Sequence, residues 1–200
     1  MAKIKAIETV YNGYKFRSRL EARWAVFFDA AGIVYEYEPE GFELEDGTRY
    51  LPDFYLTELK VFVEVKGVMS DSDFHKIESL VKELPDEYRG VYVVQDIPNF
   101  TGYKWRDDLR LYEKYENEVY CDPPYMFCMC PVCGKLGLEF DGRGSRVDFC
   151  DPETADRILY PDTEFLWHGD KGYTGEHPRF MHAYDKARQA RFEHGEQPVI

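Results

Sequence analysis

The sequence predicts a mixed α/β fold in which helices cover both faces of one β-sheet, with the core element order αβββαβ. Segment 18–31 has apolar residues at helical spacing, and short strand-like stretches follow it up to residue 66. A second amphipathic segment, 70–84, precedes the apolar run 91–94. Because strands of one sheet can be joined through such a crossover helix, we expect the run 91–94 to add a buried strand to the sheet.

Length, composition and charge limit the classes of protein to consider. The 200 residues allow one domain plus a small module, and 44% hydrophobic residues are enough for a core. We expect a first domain over residues 1–120 and a module over 121–200, with Pro123-Pro124 marking the boundary. The net charge of −13 argues against a protein that coats DNA non-specifically, since neutralising phosphates takes clustered Lys and Arg.

No apolar run reaches the length of about 18 residues that a membrane span requires. The first residues also lack the apolar stretch of a signal peptide. We therefore expect no membrane partner and a cytoplasmic location in whatever cell makes the chain. A homodimer stays open, because nothing in the sequence decides the oligomeric state.

The first helix is expected over Ser18–Ala31, with Gly32 as its C-terminal stop. Its apolar stripe consists of Leu20, Trp24, Phe27, Phe28 and Ala31. Glu21 lies beside this stripe, and its spacing from Ser18 fits a capping box in which Glu21 reaches back to the backbone of Ser18. Spacing alone favours the cap as the role of Glu21.

A hairpin follows, with one strand over Tyr50–Tyr55, a turn over 56–59 and a second strand over Lys60–Lys66. If Tyr55 faces Lys60 across this turn, Asp53 faces Phe62. Alternation along a strand then places Asp53, Glu64 and Lys66 on one face of the sheet. The other face, with Val61, Val63 and Val65, suits a buried core.

Charged side chains on a sheet face cost stability unless something satisfies them, and a divalent cation bound by Asp53 and Glu64 would do so. Mg²⁺ prefers oxygen ligands and often takes one or two carboxylates together with water and substrate phosphate. Lys66 would lie beside the metal, where it orients a water or offsets negative charge. The simpler alternative is a half-exposed strand with polar residues outside.

Four segments resemble the PD-(D/E)XK nuclease superfamily, and most closely the Holliday-junction resolvases of the phage endonuclease I type. The resemblance covers about residues 14–95 and is carried by Phe16-Arg17-Ser18-x-Leu20-Glu21, Gly32-Ile33-x-Tyr35-Glu36-Tyr37-Glu38, Pro52-Asp53-Phe54 and Phe62-Val63-Glu64-x-Lys66-Gly67. It implies a restriction-endonuclease-like mixed sheet and a Mg²⁺ or Mn²⁺ site formed by Glu21, Asp53, Glu64 and Lys66, with the Val65 carbonyl as a further ligand. The resemblance thus favours a metal-site role for Glu21 over the capping role that its spacing favours. After Asn99 the resemblance to these resolvases ends.

The C-terminal segment contains all five cysteines, clustered as in a metal site rather than spread as in a disulfide framework. Cys130 and Cys133 with Gly134 form a zinc-knuckle pattern, and the following strand over 135–140 is typical of a zinc ribbon. Since a second CxxC is absent, the remaining ligands are expected to be Cys150 with Cys128, Cys121 or His168. The alternative is a degenerate ribbon with free thiols.

Two further helices are expected, over Tyr103–Asn117 and, after Pro178, over Arg179–His194. The last helix is basic, and its pattern slightly favours docking on the core with a solvated basic face over DNA contact. Candidate contacts to a nucleic-acid backbone are Lys15, Arg17, Arg19, Arg143, Arg146 and Arg188.

The sequence thus predicts a Mg²⁺- or Mn²⁺-dependent DNA endonuclease with a structural Zn²⁺ site. The resemblance adds an expected role in phage DNA processing, recombination or junction resolution. Two alternatives remain. One is another DNA nuclease on the same core, such as an exonuclease or a mismatch- or restriction-type nicking enzyme. The other is a non-catalytic DNA-binding protein built on a nuclease scaffold.

Overall fold

The computed structural model describes residues 6–99, 109–122, 124–140, 150–159 and 177–192. In chain order the elements are β1 Thr9–Tyr11, β2 Tyr14–Phe16, α1 Arg19–Ala31, β3 Tyr35–Tyr37, β4 Phe42–Glu43, β5 Arg49–Tyr50, β6 Phe54–Leu56, β7 Val61–Val65, α2 Asp71–Glu83, β8 Gly90–Val94, β9 Leu109–Tyr115, β10 Glu118–Asp122, β11 Tyr125–Met129, β12 Leu136–Phe140, α3 Pro152–Leu159 and α4 Pro178–Gln189.

The central sheet has six strands in the order β10-β9-β8-β7-β6-β3. Strands β7 and β8 run parallel and are connected through α2, whereas the other neighbours are antiparallel. This confirms the expected mixed α/β fold and the strand beyond the crossover helix. The parallel pair places the C-terminal ends of β7 and β8 at the same edge of the sheet, where Lys66 N–H donates to the Val94 carbonyl at 2.9 Å.

Two hydrophobic clusters cover the two faces of this sheet. Val61, Val63 and Val65 belong to the larger cluster, together with the buried face of α1. Phe62 belongs to the other, which includes the apolar face of α2. Both faces of β7 are therefore buried, and any charged side chain on this strand must find partners within the protein.

Helix α1 begins and ends as its sequence predicts. The Ser18 hydroxyl accepts from the Glu21 backbone N–H at 3.1 Å, and Gly32 closes the helix in the left-handed conformation with φ of 65°. Helix α4 packs against α1, and the rings of Phe27 and Tyr184 stack with centroids 4.3 Å apart. This contact helps to dock the last helix on the core.

The predicted strand Tyr50–Tyr55 is wrong as a single element. Its first residue ends β5, which pairs with β4 in a separate two-stranded sheet, and only β6 joins the central sheet. The predicted register is also wrong, because Tyr55 rather than Asp53 lies opposite Phe62. A slip of two residues keeps every side chain on its face, so the expected common side for Asp53 and Glu64 survives.

The predicted helix Tyr103–Asn117 is wrong over the part that the structure describes. Residues Leu109–Tyr115 form strand β9, which pairs with β8 on one side and with β10 on the other. Leu109 and Leu111 alternate with Arg110 and point to the larger core cluster. This period of two is the strand signal, and residues 103–108 lie outside the described ranges.

The hairpin β11–β12 and helices α3 and α4 make up the described part of the C-terminal segment. The strand expected over 135–140 is observed as β12. Helix α4 ends at Gln189 rather than near residue 194, and α3 lies in a stretch without a sequence signal. Phe127, Leu138 and Tyr184 belong to the same core cluster as α1, so this core draws on both sides of residue 120. Within the described ranges, no helix is long and apolar enough to cross a membrane.

Candidate functional site

Asp53 lies just before β6, and its carboxylate bridges to β7. Its Oδ2 accepts from the backbone N–H of Val65 at 2.7 Å, and its own N–H donates to the Val63 carbonyl at 3.1 Å. These contacts hold the carboxylate beside Glu64, and both side chains are buried, with residue exposures of 4% each. Burial, together with the nearby charges of Glu64 and Glu21, raises the pKa of Asp53 to about 8.

Glu64 has one satisfied oxygen and one orphan. Its Oε1 lies 2.6 Å from Nζ of Lys66, whereas Oε2 is buried without a hydrogen-bond partner among the described residues. The Tyr50 hydroxyl lies next to this carboxylate, and burial beside Glu64 raises the pKa of Tyr50 well above its usual range. A buried carboxylate oxygen without a partner is costly, and it is the kind of atom that a cation or a bound water satisfies.

Lys66 follows β7 and lies between two carboxylates. Its amino group contacts Glu64 and lies 3.9 Å from Oδ1 of Asp73, in the first turn of α2. Burial alone would lower the pKa of Lys66, but the charges of Glu64, Asp53 and Asp73 outweigh it and raise the pKa. A raised pKa favours the protonated amino group at the end of β7.

Glu21 has two kinds of neighbour. Its carboxylate accepts hydrogen bonds at the N-terminus of α1, and it also lies near Asp53. Oε1 accepts from the Ser18 hydroxyl at 2.7 Å, and Oε2 accepts from Tyr37 Oη at 2.8 Å and from the Arg17 backbone N–H at 3.0 Å. The expected bond to the Ser18 backbone is replaced by the one to Arg17. Glu21 is buried, and its charge contributes to the raised pKa of Asp53.

Arg17 supplies the other cation of the site. Its Nη2 lies 2.7 Å from Oδ1 of Asp53, and its Nε lies 2.8 Å from Oε1 of Glu38. The two cations thus pair with different buried carboxylates, Arg17 with Asp53 and Lys66 with Glu64. The guanidinium is about half exposed, so it lies where the site meets solvent.

These groups line one cavity of about 330 Å³. Its lining residues are Ala6, Arg17, Glu21, Arg49, Tyr50, Leu51, Asp53, Glu64, Val65, Lys66, Asp73 and Lys76. All four residues expected to act together, Glu21, Asp53, Glu64 and Lys66, face this cavity, and so does Val65. Sequence reasoning missed Tyr50 and Asp73, for which the chain offers no signal, because β5 and α2 meet here only through tertiary packing.

A second cluster consists of Cys130, Cys133 and Cys150. Among the described residues it is the only group of three His, Cys, Asp or Glu side chains whose ligand atoms all lie within 4.8 Å of one another. Sγ of Cys130 and Sγ of Cys150 are 3.8 Å apart. Tetrahedral zinc with Zn–S bonds of about 2.3 Å places its sulfurs about 3.8 Å apart, so this spacing fits a Zn²⁺ site, whereas a disulfide requires about 2.05 Å.

The local backbone is built to hold these thiols. Gly134, with φ of 76°, donates its N–H to the Cys130 carbonyl at 2.9 Å and closes the turn between the two knuckle cysteines. Burial disfavours the thiolate of Cys130, but backbone N–H groups of Cys133, Cys150 and Val132 outweigh it and lower its pKa to about 7. A thiol that ionises near neutral pH is a ready zinc ligand.

The structure leaves the fourth ligand of this cluster unassigned. Cys128 lies on β11 opposite Gly137 and is not one of the group of three, so its expected ligand role stays a prediction. Cys121 lies on β10 opposite Tyr112 in the central sheet, also outside the group. His168, the other candidate, lies outside the described residues.

The basic residues expected to contact nucleic acid divide into several environments. Lys15 is exposed and pairs with Glu8 at 2.7 Å, Arg17 is committed to the acidic cavity, and Arg19 is half-buried in the first turn of α1. Arg188 donates to the Pro98 carbonyl and to Asp185. Arg143 and Arg146 lie outside the described residues.

Comparison with protein-family models, with curated proteins and with solved structures finds no match to this chain.

Proposed function

We propose that this protein is a divalent-metal-dependent endonuclease of the PD-(D/E)XK class that hydrolyses phosphodiester bonds in DNA. The observation that carries the proposal is the burial of Asp53 and Glu64 side by side in one cavity with Lys66, with Oε2 of Glu64 left without a partner among the described residues. A buried pair of carboxylates costs free energy on its own, whereas a cation bound between them offsets that cost.

The donor set fits Mg²⁺ or Mn²⁺, because two carboxylates with room for water in a cavity match the preference of these ions for oxygen ligands. Asp53 and Glu64 would hold the ion, with the Val65 carbonyl and Glu21 completing the site. Bound there, the ion would supply Lewis acidity and lower the pKa of a water.

The residues of the chain have separate tasks in this proposal. Lys66, protonated and 2.6 Å from Glu64, orients the attacking water or offsets charge as it develops on the phosphate. Arg17 holds Asp53 at the entrance of the cavity, and Tyr37 and Ser18 fix the carboxylate of Glu21 through hydrogen bonds. These fixed positions reduce the reorganisation needed when substrate binds.

The finer assignment of the fold belongs to the same proposal. The order of α1, the strands up to β7, α2 and β8 is compatible with a restriction-endonuclease-like core, followed by a zinc-ribbon-like module around Cys130, Cys133 and Cys150. On this basis the DNA-processing role proposed is that of a phage recombination or junction-resolving nuclease, acting in the cytoplasm of its host.

One observation favours a competing function. Arg17 pairs with Asp53 and Lys66 pairs with Glu64, so each buried carboxylate already has a cation at one oxygen. Such an ionic cluster is also compatible with a non-catalytic DNA-binding protein that keeps the scaffold of a nuclease. A nuclease would cleave DNA when Mg²⁺ is present, whereas a non-catalytic protein would bind DNA without cleaving it.

The test is nicking of supercoiled plasmid with Mg²⁺, with Mn²⁺ and with chelator. We expect metal-dependent nicking by the wild-type chain and its loss in Asp53→Asn and in Glu64→Gln, which keep the size of the side chain but remove a ligand charge. Lys66→Ala should slow cleavage strongly with little change in DNA affinity, because its contribution grows in the transition state. The matched control is Asp46→Asn, in an exposed turn away from the cavity lining.

Metal-independent nicking, or full activity in Asp53→Asn, would overturn the proposal. DNA binding without nicking under any metal would favour the non-catalytic alternative. A panel of linear, branched and single-stranded DNAs then separates a junction-resolving enzyme from an exonuclease or a nicking enzyme on the same core.

A further inference from the structure

A second cavity, larger than the acidic one, lies beside the C-terminal end of α4. It has a volume of about 650 Å³, and its lining among the described residues is Arg23, Arg188, Gln189, Ala190 and Arg191. Three of these five residues are arginines and none is acidic. The chain has a net charge of −13, so a cavity lined by three arginines and no acidic residue differs from its overall composition.

The arginines of this cavity are only partly neutralised by the protein. Arg188 has a carboxylate partner in Asp185. Within the described ranges, Arg23 and Arg191 form no ion pair, and Nε of Arg23 is buried without a hydrogen-bond partner. An unpartnered guanidinium nitrogen costs free energy when it is buried, and a bound anion would remove that cost.

The cavity is fixed to the same edge of the sheet as the acidic site. Lys66 and Val94 are hydrogen-bonded where β7 and β8 end, and the next residue of the chain, Gln95, accepts from Trp24 of α1 at 3.3 Å. Three residues further on, the Pro98 carbonyl accepts from Arg188. Arg23 neighbours Trp24 on α1, so one helix contributes Glu21 to the acidic cavity and Arg23 to the basic one.

We propose that Arg23, Arg188 and Arg191 bind a backbone phosphate of duplex DNA, at a distance from the bond that is cleaved. The inference rests on the proposed nuclease function. Guanidinium groups bind phosphate oxygens in pairs of hydrogen bonds, and a contact outside the reaction centre fixes the register of the duplex without reading its sequence. In an acidic protein, this cavity gives the duplex a local site of opposite charge.

The test measures the affinity for a short labelled duplex by fluorescence anisotropy in chelator, over a series of salt concentrations. We expect the double variant Arg23→Gln with Arg191→Gln to weaken binding at least about tenfold at low salt and to reduce the slope of log affinity against log salt by about one for each lost phosphate contact. Arg188 is left in place because it also anchors Pro98. The matched control, Arg157→Gln on exposed α3, should bind as the wild type does.

A single variant, Arg191→Glu, guards against misfolding of the double variant, because this exposed residue follows the end of α4. It should weaken binding more than Arg157→Glu does. Wild-type affinity and salt slope in both Arg23/Arg191 variants would overturn the inference. A second result would also overturn it. If the wild type binds inorganic phosphate in calorimetry and the variants lose this binding but keep their duplex affinity, the cavity takes a small phosphate ligand and not DNA.

Failure of this inference is distinguishable from failure of the proposed function. If the wild-type chain nicks plasmid with Mg²⁺ and the variants bind duplex normally, the basic cavity has no role in DNA binding but the nuclease remains. If the variants lose affinity while no metal supports nicking in the wild type, the phosphate contact remains and the nuclease proposal fails. Absence of any duplex binding by the wild type overturns both.

Discussion

Nη2 of Arg17 lies 2.7 Å from Oδ1 of Asp53, so the buried carboxylate just before β6 is paired with a guanidinium from the segment before α1. The other oxygen of Asp53 accepts from the Val65 backbone. Both contacts favour the ionised carboxylate, yet burial and the charges of Glu64 and Glu21 prevail, and the pKa of Asp53 is raised. The nearby charge of Arg17 therefore only partly offsets burial and the two neighbouring carboxylates at Asp53.

Replacing Arg17 tests how far its positive charge lowers the pKa of Asp53. Arg17→Gln should raise the pKa of Asp53 beyond about 8, because it removes the charge that favours ionisation. The pKa is measured by NMR titration of the Asp53 side-chain carbon in metal-free protein. Arg49→Gln is the control, since Arg49 lines the same cavity but pairs with Glu43. An unchanged Asp53 pKa in Arg17→Gln would contradict this account of the ion pair.

The raised pKa of Asp53 also contributes to the pH dependence of stability in the absence of metal. In the unfolded chain an aspartate has a pKa of about 3.9. The folded protein therefore holds the Asp53 proton up to about pH 8, after the unfolded chain has lost it. The free energy of unfolding should fall as pH rises between these values, by an amount on the order of a few kcal/mol.

Asp53→Asn removes this titration, so its stability should be flatter over the same pH range and higher than that of the wild type at the alkaline end. Urea denaturation in chelator at several pH values gives the comparison. Asp46→Asn is the control, because Asp46 is exposed and its pKa is lowered by hydrogen bonds from Thr48. A wild-type pH slope in Asp53→Asn would show that another group dominates.

Much of the candidate site could be predicted from the sequence because alternation along β7 determines its faces. The common side of Asp53 and Glu64 depends only on the parity of the register, and the true register differs from the predicted one by two residues. The helix boundaries at Ser18 and Gly32 also followed from local rules, since a cap and a stop act within one turn.

Other features depend on contacts between distant segments. The pairing of Arg17 with Asp53 joins residues 36 positions apart, and nothing in the local pattern distinguishes it from a contact to phosphate. A helix is predicted over the segment that forms strand β9, and pairing with β8 and β10 decides its structure. Tertiary hydrogen bonding overrides local propensity there.

Glu21 is the residue for which two roles compete, and a conservative change separates them. In Glu21→Gln the amide oxygen can accept from Tyr37 and Arg17, while the amide nitrogen donates to the Ser18 hydroxyl, so the hydrogen bonds seen for Glu21 can be kept. Melting temperature should change little. If Glu21 belongs to a metal site, nicking should slow at least about tenfold, which corresponds to about 1.4 kcal/mol of barrier. Ser18→Ala is the control, since it weakens the cap but leaves the charge. Unchanged cleavage in Glu21→Gln would leave capping as its role.

Zinc content tests the cysteine cluster independently of any nuclease activity. The chain should contain about one Zn²⁺, and Cys130→Ser with Cys133→Ser should lose it, because each serine removes a thiolate ligand. Elemental analysis of protein prepared without chelator measures the metal. Because a structural zinc supplies folding free energy, the same variant should melt at a lower temperature.

Cys121→Ser is the matched control, since Cys121 lies on the central sheet outside the group of three, and this variant should keep its zinc. Equal zinc in the double variant and the control would show that the metal is bound elsewhere, and absence of zinc from the wild type would leave the three thiols free.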